Sequence, residues 1–131
     1  MRDIFLPLVQ DTDTGIFSVS QELPYEVDGT ALYVKNPRRI YVDNAQINQE
    51  DVIHTLDNMS LVTETTQLTI YFCVEAKIVA GYDDAVTNLK QLRDHADLRA
   101  LGYTRRTCNV LKRYESNLLI TELTYQFSKI L

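Results

Sequence analysis

The clearest pattern in the chain is an alternation of apolar and polar residues from Ser60 to Lys77. The apolar side chains share one face and most polar side chains share the other, as in a half-buried β-strand. Because ordinary strands have about five or six residues, we expect the polar first half of this strand to project beyond the compact body and to need a partner. The apolar set is Val62, Leu68, Ile70, Phe72, Val74 and Ala76.

The last third of the chain shows two further patterns. Apolar residues recur at a helical spacing from Asp83 to Ala100, and Gly102 stands where a helix-terminating glycine is expected. Two alternating segments follow, Tyr103–Tyr114 and Leu118–Leu131, separated by the polar residues Glu115–Asn117. This order predicts one main helix and then a β-hairpin.

The first part of the chain is less regular. Residues 1–29 show neither a helical nor a strand period, and we expect an extended arm that straps the domain or reaches a neighbouring chain. The β-rich runs Ala31–Val34 and Ile40–Val42 predict a hairpin. Residues 44–58 fit either a short helix capped at Asn48 or a loop.

This order of elements predicts an α+β fold, in which a mostly antiparallel sheet carries its main helix on one face. A chain of 131 residues suits one domain with a hydrophobic core of its own. We therefore divide the chain into an extended N-terminal arm, residues 1–29, and a single α+β domain, residues 30–131.

Composition narrows the classes of function. Thirteen basic and eighteen acidic residues give a net charge of -5, which argues against a domain that binds by neutralising many phosphates. Four glycines are too few for a phosphate-cradling loop or a dinucleotide-binding motif. No leader-like or membrane-spanning apolar segment is evident, so we expect assembly in a cytoplasm. Cys73 and Cys108 fit buried, reduced thiols, with a disulfide possible if their strands are neighbours.

Candidate catalytic and metal-binding residues are few. His54 and His95 lie among polar residues without a second ligand at metal-binding spacing, and Asp11–Gly15 lacks the sixth-position glycine of a calcium loop. Asp83 and Asp84 fit the first turn of a helix, where the helix dipole favours acids. We therefore predict that the protein is not an enzyme, and we assign no catalytic, cofactor-binding or metal-binding residue.

Two polar stretches are candidates for contacts with other chains, namely the first half of the long strand and the tip of the final hairpin. The predicted subunit interface comprises Val62, Thr63, Glu64, Thr65, Thr66, Gln67, Leu111, Lys112, Arg113, Tyr114 and Glu115. A basic patch is predicted to meet the acids of a neighbour or, as an alternative, nucleic acid. That patch comprises Arg105, Arg106, Lys112 and Arg113.

The order of segments resembles one family in particular. The segments are ALYV, which precedes Asp43, and TTQLTIYFCVEA, YDDAVTNLKQLRDHADL, GYTRR and LLITELTYQF, which lie within the stretch Asp43–Leu131. In this order they resemble the tail terminator family of long-tailed bacteriophages, represented by the lambda tail terminator protein. That family usually opens with an amphipathic helix, whereas this chain is expected to open with an irregular arm.

The resemblance implies a homo-hexameric ring on the end of a phage tail tube, which stops the polymerisation of tube subunits and faces the head or neck. The implied partners are further copies of the chain, the tail tube protein and a head or neck connector, with genomic DNA passing through the lumen and no membrane. The implied location is the virion, after assembly in the host cytoplasm.

Two alternatives stay open at this point. One is another neck, head-completion or distal tail component, since such proteins share related small α+β folds. The other is a small enzyme or ligand-binding domain with a pocket between helix and sheet, lined by Tyr71, Cys73 and Cys108.

Overall fold

A computed structural model describes the backbone of residues 1–54, 60–78 and 80–131, and the side chains of these residues except 51–54 and 60. The strands are β1 (Ser18–Val19), β2 (Arg39–Val42), β3 (Gln46–His54), β4 (Ser60–Glu75), β5 (Arg105–Glu115) and β6 (Leu118–Ile130). The helices are α1 (Arg2–Asp11), α2 (Leu32–Lys35), α3 (Tyr82–Gln91) and α4 (Ala96–Ala100), with a 3₁₀ turn at Leu92–Asp94.

The described strands form one six-stranded sheet in the order β1-β2-β4-β6-β5, with β3 paired to β4 as well. β1 runs parallel to β2, and every other neighbouring pair is antiparallel. The apolar sides of α1, α3 and α4 share a hydrophobic cluster with one face of the sheet. The predicted α+β class, with a mostly antiparallel sheet and its main helix on one face, is therefore confirmed.

Strand β4 confirms the long strand predicted from the alternation of residues. It pairs with β6 from Thr63 to Glu75 and, on its other side, with β3 from Ser60 to Gln67. Leu68 and its even-numbered neighbours up to Val74 are buried against the helices. The first half of β4 thus lies inside a three-stranded section, because β3 covers the side that we expected another chain to cover.

The N-terminal segment corrects the prediction of an extended arm. Residues Arg2–Asp11 form a helix even though Pro7 lies within it. Phe5 and Val9 are fully buried, and the Phe5 ring meets the Tyr125 ring edge-on with 4.8 Å between centroids. Proline disfavours helix interiors by about 3 kcal/mol, and here the packing of the helix on the sheet overrides that preference.

The region between the N-terminal segment and β4 corrects two further predictions. Residues Leu32–Lys35 form the short helix α2, so the expected hairpin with Ile40–Val42 is wrong, although the second run is the strand β2. Residues Gln46–His54 form strand β3 where we expected a short helix or a loop. The rest of that expected helix, residues 55–58, lies outside the described residues.

The final hairpin lies where we predicted it, whereas the single helix predicted from Asp83 to Ala100 is divided. The helix extends over Tyr82–Gln91, continues as a 3₁₀ turn and ends at His95, after which Ala96–Ala100 forms a separate short helix. The hairpin turns at Ser116 and Asn117, which both have positive φ, at 47° and 68°. Two consecutive residues in this conformation match the twist of a tight hairpin.

The two cysteines lie on opposite faces of the sheet. Cys108 belongs to the cluster beneath the helices, whereas Cys73 belongs to a smaller cluster on the other face with Tyr33, Tyr41 and Ile120. Both thiols are buried and free. The sheet therefore separates them, and Tyr71, which packs beside Cys73, cannot line one pocket with Cys108. Among the helices described, none is long and apolar enough to cross a membrane.

Candidate assembly surface

One part of the sheet has no apolar cover among the described residues. In the section formed by β3, β4, β6 and β5, the face away from the helices carries hydroxyl and amide side chains that belong to neither hydrophobic cluster. We call this set the open face. It comprises Asn48, Thr65, Gln67, Thr69, Arg105, Thr107, Asn109, Thr124, Gln126 and Ser128.

Side chains of the open face bond to one another across the strands. The hydroxyls of Thr65 and Ser128 lie 3.3 Å apart. Gln126 Nε2 donates to Gln67 Oε1 at 3.5 Å. These cross-strand contacts use part of the hydrogen-bonding capacity of the polar surface within the surface itself. Arg105 is the one positive charge in the set, and among the described residues it has no acid within salt-bridge distance.

The other half of the same face is covered by a short segment of chain around α2. Tyr33 stacks on Tyr71 with ring centroids 5.3 Å apart, and Tyr25 meets both rings edge-on. Burial is the main cause that raises the pKa of Tyr25 to about 12. This cover gives the second face of the sheet an aromatic half, packed by Tyr25, Tyr33 and Tyr71, and a polar half, which is the open face.

The predicted basic patch is divided by the sheet. Arg105 and Arg113 lie on the side of the open face, whereas Arg106 and Lys112 lie on the side of the helices. Seven residues of strand separate Arg105 from Lys112, which is about 24 Å at the rise of an antiparallel strand. The four residues are therefore spread over both faces and nearly the whole length of β5.

Two of these basic residues have contacts within the chain. Lys112 lies with its Nζ 5.1 Å from the centroid of the Tyr82 ring. Arg113 Nη2 donates to the Tyr33 hydroxyl at 3.5 Å. Arg106 differs, since its Nη1 is buried without a hydrogen-bond partner among the described residues. A buried, unpaired guanidinium nitrogen is costly to the folded chain.

The predicted subunit interface falls into two separate areas. Val62–Gln67 lies in the interior strand β4, flanked by β3 and β6, and Thr66 is fully buried. Leu111–Glu115 lies in the strand β5, and all five of these residues are exposed. Because β4 has both of its backbone edges paired, Val62–Gln67 can offer another chain only side chains.

Sequence reasoning missed the feature that is most available for pairing, which is strand β3. Residues 46–50 are exposed on both faces, and within the described chain β3 pairs with β4 alone. A strand that is polar on both faces shows no period of two, so the pattern could not reveal it. The available signal was the absence of a helical stripe in Gln46–Glu50.

The remaining candidate residues have structural roles. His95 caps α4, because its Nδ1 accepts from the Asp97 N–H at 3.2 Å. Asp83 and Asp84 lie in the first turn of α3, as predicted from the helix dipole. The side chain of His54 lies outside those described. Among the described residues, no three His, Cys, Asp or Glu side chains form a possible metal site.

The chain matches no protein-family model and no curated protein sequence. Its own geometry therefore carries the functional argument. The open face and the two strands that border it offer backbone hydrogen-bonding groups, hydroxyls, amides and an uneven distribution of charge. This combination suits contact with another protein surface.

Proposed function

We propose that this chain is a structural subunit of a bacteriophage tail, and specifically a ring-forming tail terminator that caps the tail tube and joins it to the head or neck. Its partners are further copies of itself, the tube protein and a head or neck connector. The role is structural, so the protein needs no catalytic residue and no cofactor.

One observation carries this proposal, namely the four-stranded section whose polar face no described apolar residue covers. The two strands that border this section are long, with 9 residues in β3 and 11 in β5 against about five or six in an ordinary strand, and among the described strands each has one unpaired edge. Small domains rarely keep long strands with unpaired edges, because such edges invite pairing with other chains. A subunit whose task is controlled self-assembly has a use for them.

The N-terminal helix adds support from the resemblance. Tail terminators usually open with an amphipathic helix, and α1 provides one, with Phe5, Leu8 and Val9 on its buried side. The N-terminal segment therefore no longer differs from the family in the way that we expected from the sequence. One segment weighs the other way, since ALYV, which resembled a strand of the family, belongs to the region of helix α2.

The chemistry of the open face also suits a lumen through which DNA passes. A passing polyanion has to slide without being held, so the lining should not concentrate positive charge. The open face consists of hydroxyls and amides with Arg105 as its one cation. The other basic residues of β5 lie at its edge or beneath the helices, away from the centre of this face.

Light scattering coupled to size exclusion, followed by negative-stain microscopy, tests the proposal. We expect rings with a central hole and a mass of several subunits, and we expect these rings to stop the growth of tube protein in a polymerisation assay. A matched control is the variant Leu123→Ala, which weakens the core and leaves the surface unchanged. Because assembly depends on the surface, the folded variant should still form rings. A wild-type protein that stays monomeric with and without tube protein would overturn the proposal.

A further inference from the structure

Strands β3 and β5 border the four-stranded section on opposite sides, and among the described strands each pairs on one side only. We infer that β5 of one copy pairs with β3 of the next copy, so that the sheets of all subunits join into one closed sheet around the ring. This inference rests on the proposed ring and names the surface that builds it.

The directions of the strands fit this contact. In the order β3-β4-β6-β5 each strand is antiparallel to its neighbour, so β3 and β5 run in opposite directions. In a cyclic ring every subunit has the same orientation along the axis. The β5 strand of one copy therefore meets the β3 strand of the next copy in antiparallel sense, and the alternation continues around the ring without a break.

The two edges are also staggered in the way that a closed sheet requires. β3 pairs with β4 over Ser60–Gln67, whereas β5 reaches β4, through β6, at the level of Thr65–Glu75. The offset is roughly six residues, or about 20 Å along the strands, across four strands that are together about 19 Å wide. Strands tilted by about 45° to the ring axis absorb this offset, and closed sheets have strand tilts of about that size.

Charge favours this pairing over a pairing of like strands. β5 has four basic residues and one acid in RRTCNVLKRYE, and β3 has two acids and no lysine or arginine in QINQEDVIH. Two β5 strands side by side would repel each other, whereas β5 beside β3 brings opposite charges together. The contact is therefore heterologous, which is the kind that builds a ring instead of a two-fold dimer.

The faces of the strands restrict the register. Residues directly opposite in a sheet lie on the same face, and Asn48 and Glu50 of β3 lie on the same side of the sheet as Leu111 of β5. In the centred registers Leu111 therefore lies opposite Glu50 or Asn48 of the next copy. Within one chain β3 and β5 are separated by two strands, about 14 Å, so a disulfide between these positions must join different copies.

Cysteine cross-linking tests this contact directly. The double variants Leu111→Cys with Glu50→Cys and Leu111→Cys with Asn48→Cys are oxidised mildly and separated on a denaturing gel. We expect one of them to give a ladder of covalent multimers up to the ring size. The single variants are the matched controls, and a heterologous contact leaves them without a ladder.

The outcomes separate the inference from the proposed function. Rings on the microscope grid without a ladder from either double variant would overturn the β5–β3 contact and leave the ring in place. Monomers from the unmodified protein would overturn both.

A charge exchange provides an independent measurement if a cysteine variant fails to fold. Lys112→Glu with Arg113→Glu reverses two charges of β5, and we expect at least a tenfold loss of ring relative to monomer. Adding Glu50→Lys on β3 should recover part of that loss. Lys77→Glu with Arg39→Glu changes the net charge equally away from both edges and should leave the ring unchanged. An equal loss in that control would overturn the inference.

Discussion

Alternate residues of the same strands form the two faces of the sheet, and the two faces differ in their side-chain chemistry. In β6, Leu123 and Tyr125 are fully buried beneath the helices, whereas Thr124 and Gln126, which alternate with them, belong to the open face. The buried face determines whether the chain folds, because apolar burial dominates stability. The open face contributes little to the stability of the fold, so its side chains are available to bind another molecule. Changing single residues on each face should therefore affect different measurements.

The largest effect is expected at the helix that closes the buried face. Phe5→Ala removes a fully buried ring packed on Tyr125, and we expect it to lower the free energy of unfolding by about 3–5 kcal/mol. Ile4→Ala, at a side chain that is 42% exposed, is the matched control and should change it by less than about 0.5 kcal/mol. Urea denaturation measures both. Equal, small effects would mean that α1 is not part of the core.

The strands of the buried face were predictable from sequence because their alternation is local. Each of Leu68, Ile70 and Phe72 indicates its own face by its position relative to its neighbours. Helix α1 was missed for the opposite reason. Its apolar residues Phe5 and Val9 have helical spacing, but Pro7 lowers the local preference, and only packing on distant strands compensates.

The candidate surface was less predictable than the fold. Of the predicted interface, Leu111–Glu115 is exposed on β5, whereas Val62–Gln67 lies between two strands. Strand β3 has the edge that we propose for pairing, and its exposed residues 46–50 have no alternation to indicate a strand. Tertiary structure determines which strand a polar strand pairs with, and a local sequence pattern gives no information about it.

A second prediction compares the two faces at adjacent residues. Leu123→Ala leaves a cavity under the helices, and we expect a loss of about 2–5 kcal/mol in the free energy of unfolding. Thr124→Ala removes a hydroxyl that lies 3.5 Å from the Thr69 hydroxyl on the open face, and should cost less than about 1 kcal/mol. Urea denaturation of the monomer measures both. A large effect of Thr124→Ala would show that the open face is needed for folding.

The third prediction concerns the pH dependence of stability and compares one cysteine on each face of the sheet. Burial raises the pKa of Cys108 from 9.0 to about 11, and burial also raises the pKa of Cys73 on the other face. A thiol whose pKa is raised on folding binds more protons in the folded state than in the unfolded state between these pH values. Its contribution to stability is therefore complete below pH 9 and is lost as the pH rises towards 11.

The wild-type protein should lose about 2 kcal/mol of stability from this thiol between about pH 8 and pH 10.5. Cys108→Ala removes that part of the pH dependence, together with the part by which the Cys108 thiol raises the pKa of the neighbouring Tyr125. The difference between the two proteins in urea midpoint, followed across this range, isolates the thiol. Cys73→Ala is the matched variant on the other face, and we expect it to flatten the pH dependence less than Cys108→Ala. If stability depends on pH equally in the wild type and in Cys108→Ala, the fold does not hold this thiol neutral. Water would then reach Cys108 on the helix-covered face more than its burial indicates.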